Sequence, residues 1–403
     1  MRILFATAPG YGLTLPVIPL TWAARAEGHE VLLATTSAMV DVGARAGLAV
    51  HDVFPERDVW ADVMTMVGSS GDPGGEMPGI YRLAAQDPGP FSLFTATMTE
   101  GTVAAGRAFG ADLVVTTSDH GAGTLTAAAL DVPVLEVGNR ISWSTRDRRD
   151  ELDRFTGGPV VEHVRASLGI DGTPVPVARI DVRAPSMGGM APDAEQADPR
   201  DGAPWWPMRF VPYNGGTVVP DWAARRPERP RIAVTLGTVV PAMSGVSSLV
   251  VVLEALGGMD VEVVLAAGDA DLGGLGALPA NVRSIGYLPL SAFVPSCAAV
   301  VHHGGSGTTA TPLFYGVPQL VLPSFADNPM SAERVVARGV GLSYDPAGVD
   351  AATVRDAVGR LLDEPSFRAA AREVAAEMAT QPSPAAVLDR AVARLSGAAP
   401  APR

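Results

Sequence analysis

The sequence is short of cysteine, of basic residues and of unbroken apolar stretches. Cys297 is the one cysteine in 403 residues, which excludes an intrachain disulfide and any multi-thiolate metal cluster and fits a reducing compartment. Thirty Lys and Arg stand against 43 Asp and Glu, a formal charge of -13. That balance disfavours nucleic acid or an anionic membrane as a partner, so any phosphate bound must be held by local groups. Arg2 precedes only a short apolar run that breaks at "PGYG", too little for a signal peptide, and no run approaches the roughly 18 residues of a membrane span. A cytoplasmic protein is expected. No internal repeat is visible.

Hydrophobic residues make up 47% of the chain, ample for two cores, and the length exceeds what one core usually fills. Residues 2–8 ("RILFATA") predict a buried strand, 16–27 a helix and "EVLLAT" (30–35) a second strand, a unit that implies a parallel sheet. "DLVVTT" (112–117) and "VPVLEVG" (132–138), with helix-like "AGTLTAAAL" between them, continue the alternation. Two Gly-, Pro- and acid-rich stretches, 68–79 and 186–204, read as loops, the second long enough to be mobile or functional.

A composition shift over 213–230 marks an interdomain linker, and strand-helix alternation then restarts. Strands are expected at 231–235, 261–267, 282–286, 298–303 and 318–323, helices near 247–257 and 308–316, and three helical segments at the end, with prolines before the last. The expected division is 1–212, a linker at 213–230, 231–380, and a final segment 381–403 that packs back on the first domain. The fold class is α/β, two Rossmann-like doubly wound domains.

The strongest local signal is "VVHHGGSGTTATPLFYGVPQL" (300–320). A strand runs through Gly304, Gly305, Ser306 and Gly307 into a helix, so backbone amides at the helix start face a ligand that the glycines let come close. This geometry binds anions, with His303 and the Thr308 hydroxyl available as further partners. The competing reading is an ordinary turn with satisfied histidines. The cluster lacks both GxGxxG and a Walker lysine, so it is neither a dinucleotide nor an ATPase loop. Adjacent strand residues point to opposite faces, which argues against a metal shared by His302 and His303.

"HHGGSGTT", "VTLGT" (234–238), "GYLPL" (286–290), "PSFADN" (323–328) and "PMRFVPYNGG" (207–216), in this order and spacing, resemble GT-B glycosyltransferases, and within them the actinobacterial antibiotic glycosyltransferases that attach deoxysugars from TDP-sugars. The resemblance implies two domains facing a central cleft, with the acceptor in the first and the nucleotide sugar in the second. It implies that His303, Gly307 and Thr308 contact the diphosphate, that Gly237 and Thr238 close over it, and that Tyr287 stacks on the base where the family usually has Trp. Leu288 would read the base through its backbone, and Asp327 and Asn328 would hold sugar hydroxyls; the competing reading of "ADN" is a helix N-cap. The implied partners are a TDP-sugar co-substrate and a small-molecule aglycone, with no metal and no cofactor; oligomeric state, a homodimer included, is left open.

The family's base is a histidine three residues before the proline that opens the first helix, which here is Leu13. Tyr11, with an ordinary pKa near 10, is a poor substitute. Loops at the carboxyl ends of parallel strands share a crevice, so the loop after "DLVVTT" brings Asp119 and His120 toward Leu13. His120 is then the candidate base, with Asp119 orienting it or acting alone, unless Asp119 merely caps the next helix. A third route is a phenolic acceptor, or the carbon ortho to a phenolate, that needs no strong base. Trp143 and Phe91, with Phe94 and Met98, are candidates for the acceptor wall, and the charged run 139–150 reads as a solvated helix face. A catalytically silent homologue that assists a partner enzyme, and a nucleotide-sugar epimerase, are the alternative functions.

Overall fold

The structure, a computed structural model, describes residues 1–68, 91–148, 158–237, 247–268 and 270–397. Thr238 and the stretch from 69 to 79 lie outside the described residues. Two sheets organise the chain. The first has eight strands in the order β3-β2-β1-β4-β5-β6-β8-β7: β1 Arg2–Ala6, β2 Glu30–Thr35, β3 Val50–Asp52, β4 Leu113–Thr117, β5 Val134–Val137, β6 Ala178–Asp181, β7 Gln196–Ala197 and β8 Pro204–Pro207. The second has six, β11-β10-β9-β12-β13-β14, with β9 Arg231–Thr235, β10 Glu262–Ala266, β11 Val282–Ile285, β12 Ala299–His302, β13 Gln319–Val321 and β14 Gly341–Ser343. All pairings are parallel except β7 with β8.

Alternation along β1 shows why the sheet is covered on both faces. Ile3 and Phe5 join Leu113 and Val115 under the helix Ile18–Ala26 and the final helix Pro384–Leu395. Leu4 and Ala6 join Val114 on the other face, against Phe94 and Met98 of the helix Ser92–Phe109. Each such leucine or phenylalanine removed from water stabilises the fold by about 1.5–3 kcal/mol. The second sheet repeats the plan: Ile232 and Val234 pack on Leu249, Leu253 and Leu256, while Ala233 and Val264 face Phe293 and Val294. Cys297 is packed among the latter, with burial pushing its thiol up to about 12.

Three regions depart from the sequence reading. The expected helix 16–27 is a short helix Tyr11–Thr14, a 3-10 turn Leu15–Val17 and the helix Ile18–Ala26, because Pro16 and Pro19 lack the amide hydrogens a continuous helix needs. The segment 186–204 is largely irregular, as a loop should be, but it is anchored rather than loose. It contributes β7, and Asp198 and Asp201 lie 3.3 and 2.6 Å from the guanidinium of Arg179, which also meets Glu136 at 2.8 Å. Removing one partner from such a buried network costs about 3–5 kcal/mol. Asp198 and Asp201 of this acid-rich segment are thus counter-ions to Arg179, and Glu195 pairs with Arg390. The run 139–148 forms no helix; two of its three arginines, Arg140 and Arg146, are only 17% and 18% exposed, each paired with an aspartate, while Arg148 is exposed.

The final helix turns at Gln381, whose side-chain amide donates to Met190 O at 3.0 Å, and Val387, Leu388 and Ala391 then pack with Val17, Ile18 and Ala24 of the first half. Among the described residues no helix is long and apolar enough to cross a membrane.

The helix Gly121–Leu130 must lie close on β4, since a Cβ at Gly123 would stand 2.1 Å from Thr116 Oγ1. Gly123→Ala is expected to lower stability by about 1–3 kcal/mol and to shift the preceding loop, measured by urea unfolding and by loss of activity beyond what the stability change explains.

Candidate functional site

Strand order reverses between β1 and β4 in one sheet and between β9 and β12 in the other. The registers bring Ala6 beside Thr116 and Thr235 beside His302, so the loops that leave these strands open at two switch-point crevices. Every candidate residue on these loops follows from that topology.

In the second sheet, β12 ends at His302 and the helix Ser306–Tyr315 begins after Gly305. It starts two residues earlier than the sequence suggested, which makes the amides of Ser306, Gly307 and Thr308 first-turn donors without intrahelical partners. A Cβ at Gly307 would meet nothing within 4 Å, so the turn faces open space. Gly304, at φ 94, needs the left-handed region that glycine enters freely. His302 is spent structurally: Nε2 lies 2.7 Å from Gln319 Oε1 and Nδ1 accepts from the Gly304 amide at 3.0 Å.

His303 points the other way and is wedged between two loops. A Cβ at Gly305 would stand 2.4 Å from its Nε2, and one at Gly237, φ 68, would stand 2.5 Å from its Cε1. Burial pushes its pKa down to about 4, against the opposing influence of the Thr235 backbone and the Asp327 carboxylate, and Nδ1 has no partner among the described residues. The ring is therefore neutral at pH 7, an uncharged donor or acceptor at the edge of a helix N-terminus.

Asp327 occupies the N-cap position of the helix Asn328–Arg338, yet its side chain makes no capping bond. Ala326 before it adopts φ 55, a conformation that costs a residue with a Cβ about 1 kcal/mol, and the carboxylate is turned across the cleft. There it accepts from Ser142 Oγ at 2.5 Å and lies 3.4 Å from Arg140 Nη1. Ile141 N donates to Ser306 Oγ at 2.7 Å, and Arg334 donates to Ser142 O. Asn328 is buried behind the turn, its carbonyl 2.9 Å from where a Gly304 Cβ would be.

Tyr287 is 46% exposed; its hydroxyl donates to Asn214 O at 2.7 Å, and its ring centroid is 5.8 Å from that of Tyr11. Burial of the hydroxyl and the neighbouring Tyr11 and Tyr213 raise its pKa, so it stays a neutral aromatic. Leu288 turns its side chain into the cluster around Phe293.

In the first sheet, Leu13 is 6% exposed and belongs to the apolar cluster that includes Phe94, with Trp60 and Phe91 at its edge. His120 follows β4, is 1% exposed, and neither ring nitrogen has a hydrogen-bond partner among the described residues. Burial pushes its pKa down to about 4, only partly offset by Asp119. Asp119 neither caps the helix nor orients His120. Its carboxylate accepts from Asn139 Nδ2 at 3.2 Å and from Arg140 Nη2 at 2.7 Å. Burial alone would raise its pKa, and the Arg140 guanidinium overrides this to hold it below the usual carboxylate range.

Arg140 was hidden in the sequence by its place in a charged run. The available signal was topological: it follows β5, the strand beside β4, and so lies at the same crevice. Its guanidinium joins Asp119 to Asp327 and sits 5.8 and 5.6 Å from the ring centroids of Phe91 and Trp143.

Two doubly wound sheets with a helix N-terminus and an acidic loop at one crevice and an aromatic-lined crevice opposite have the architecture of a GT-B glycosyltransferase. The chain belongs to the erythromycin biosynthesis protein CIII-like family, whose N-terminal domain matches residues 22–237 and whose C-terminal domain matches 250–394. It is similar to elloramycin glycosyltransferase ElmGT of Streptomyces olivaceus, 36% identical over 97% of this chain and 96% of that one. Among solved structures it resembles the glycosyltransferase SnogD of Streptomyces nogalater, with TM-score 0.79, 34% identity and 98% and 99% of the two chains covered. It also resembles Streptomyces sp. SF2575 glycosyltransferase SsfS6 complexed with thymidine diphosphate, with TM-score 0.73, 32% identity and 98% and 99% covered.

Gly305 has φ -56, open to any residue, so a side chain there acts only through contact. Gly305→Ala is expected to displace His303 and weaken TDP binding by about tenfold or more, on the order of 1.4 kcal/mol, measured by isothermal titration with TDP.

Proposed function

We propose that the protein transfers a deoxysugar from a TDP-sugar to a natural-product aglycone such as a polyketide, with inversion and without a metal. The observation that carries this reading is the wedged His303 at the amide-lined start of the helix Ser306–Tyr315, near enough to the Asp327 carboxylate to feel its charge. The name of ElmGT and the thymidine diphosphate in SsfS6 support the substrate classes.

The acceptor oxygen attacks the anomeric carbon as its bond to the diphosphate oxygen breaks, and the leaving diphosphate takes the electron pair. The first-turn amides of Ser306, Gly307 and Thr308 and the neutral His303 donate to it, which supplies stabilisation where charge develops. Tyr287 stacks on the base, Gly237 lies over the phosphates, and Asp327 and Asn328 hold the sugar. Tyr11, Leu13, Phe91 and Trp143 border the acceptor. His120 is the proton acceptor. With a pKa of about 4 it is unprotonated at pH 7 but weakly basic.

The burial of Leu13 among apolar side chains favours one second reading, a silent homologue that binds nucleotide sugar and assists a partner. One assay separates the two: native protein, His303→Ala, His120→Ala and Leu13→His with TDP-deoxysugars and polyketide aglycones, scored for glycoside and TDP together. His303→Ala is expected to lower kcat by about 10²- to 10³-fold and His120→Ala by about 10²-fold with TDP binding retained; EDTA has no effect. A native protein that binds TDP without turnover, and gains transfer in Leu13→His, establishes the silent reading instead.

A further inference from the structure

The loop after β5 reaches into the second half of the molecule at three consecutive residues. Arg140 Nη1 lies 3.4 Å from the Asp327 carboxylate, Ile141 N donates to Ser306 Oγ at 2.7 Å, and Ser142 Oγ donates to Asp327 at 2.5 Å. The partners are the two places in the second half on which the proposed reaction depends, the amide-lined helix start and the carboxylate that holds the sugar. The loop has no helix or strand to stiffen it here. Each residue that a ligand had to order would cost about 1–2 kcal/mol of backbone entropy, so its register calls for a further tie.

Arg334 supplies it. This residue stands on the helix Asn328–Arg338, seven positions after Asp327 and so about 10 Å along the axis. Its Nε donates to Ser142 O, and its Nη1 donates to Met187 O at 2.8 Å. Ser142 is thereby held at both ends from one helix, its carbonyl by Arg334 and its hydroxyl by Asp327. The surroundings are shaped to receive the guanidinium. Gly188 adopts φ 88, and a Cβ there would collide with Arg334 Nη1, while Ala332 and Val335 of the same helix share a core with Ala184 and Met187. A planar fork that reaches two carbonyls in fixed directions is what arginine offers and lysine lacks. Arg338, one turn further on, joins the two halves differently: Nε donates to Ser186 Oγ at 2.8 Å and Nη2 pairs with Glu373 at 2.7 Å. It has no partner in the loop 139–142 among the described residues.

We propose that Arg334 is a positioning residue for the donor sugar: by fixing the carbonyl of Ser142 it sets where the Ser142 hydroxyl and the Arg140 guanidinium meet Asp327, and so aims that carboxylate at the sugar. This rests on the sugar-holding role proposed above for Asp327. The Asp327 side chain makes no bond to the amides of its own helix, although an acid at an N-cap ordinarily does. The pull of the loop 140–142 keeps it turned away. Once Arg334 releases the loop, the carboxylate folds back onto its helix and leaves the sugar, while the amides of the helix Ser306–Tyr315 stay where they are for the phosphates.

The test compares affinities for TDP and for a TDP-deoxysugar by isothermal titration of the full-length protein without acceptor, so it decides the point whether or not transfer is observed. TDP alone reads the phosphate turn, and the ratio of the two Kd values reads the sugar contacts. Arg334→Met is expected to leave the Kd for TDP within about twofold and to weaken the TDP-sugar by about tenfold. Arg334→Lys falls between it and the native protein, and Arg338→Met keeps the native ratio. In an Asp327→Asn background Arg334→Met changes the ratio no further, as required of a residue that acts through that carboxylate. With an acceptor that the native protein glycosylates, kcat of Arg334→Met drops by about 10- to 10²-fold. Equal loss of affinity for TDP and TDP-sugar, losses that add in full to those of Asp327→Asn, or the same change of ratio in Arg338→Met overturns the proposal and leaves glycosyl transfer intact. Where Arg334→Met does not fold, Arg334→Lys alone and in the Asp327→Asn background carries the same decision. A native protein that binds neither ligand overturns the transfer reading and this proposal with it.

Discussion

The parallel pairing of β1 with β4 and of β9 with β12 is the constraint on which the site depends. Because strand order reverses at these pairs, the loops that leave their carboxyl ends diverge to opposite faces of each sheet and leave a crevice between them. No loop needs a special sequence to reach the cleft; it needs only to follow the right strand. The chemistry is then set by what each loop carries: amides and an imidazole on one side, a carboxylate with its guanidinium on the other.

The protein keeps its cleft imidazoles uncharged by excluding water from them. His120, His302 and His303 are all buried, and burial lowers the pKa of each, to about 4, 3 and 4. Only His302 has both ring nitrogens in hydrogen bonds. His120 and the Nδ1 of His303 stay unpartnered among the described residues, and these lie at the switch-point crevices of the first and second sheet respectively. Unmet polar capacity at these two places is what a bound ligand completes, although other buried polar atoms without partners, among them Arg209 Nε, Asn281 Oδ1 and Gln381 Oε1, lie elsewhere.

Much of the fold was legible because strands such as "RIAVT" and "EVLLAT" are continuous apolar runs, as sheets covered on both faces require. β6 and β8 were not, since Arg179, Asp181 and the tryptophans of "PWWP" look like surface or turn residues until their partners are known. At the site, the glycine-rich turn could be read locally, because its function is a property of its own backbone. The pairing of Asp119 with Arg140 could not, because it joins loops 21 residues apart and because an arginine among other charged residues gives no local sign of burial. Asp327 was legible as a helix-start acid, but the left-handed Ala326 that turns it away from the helix was not.

The hydroxyl that Ser142 places on Asp327 has a consequence for the sugar-holding role proposed for that carboxylate. A carboxylate that depended on the donor for every hydrogen bond would penalise a sugar stripped of a hydroxyl, since an unmet buried acceptor costs about 1–3 kcal/mol. Here the opposite domain already carries a replacement hydroxyl at hydrogen-bond distance. Under the role proposed for Asp327, loss of a sugar hydroxyl is masked by the protein itself, and tolerance of deoxygenated donors becomes a property of how the two halves meet rather than of the Asp327 loop alone.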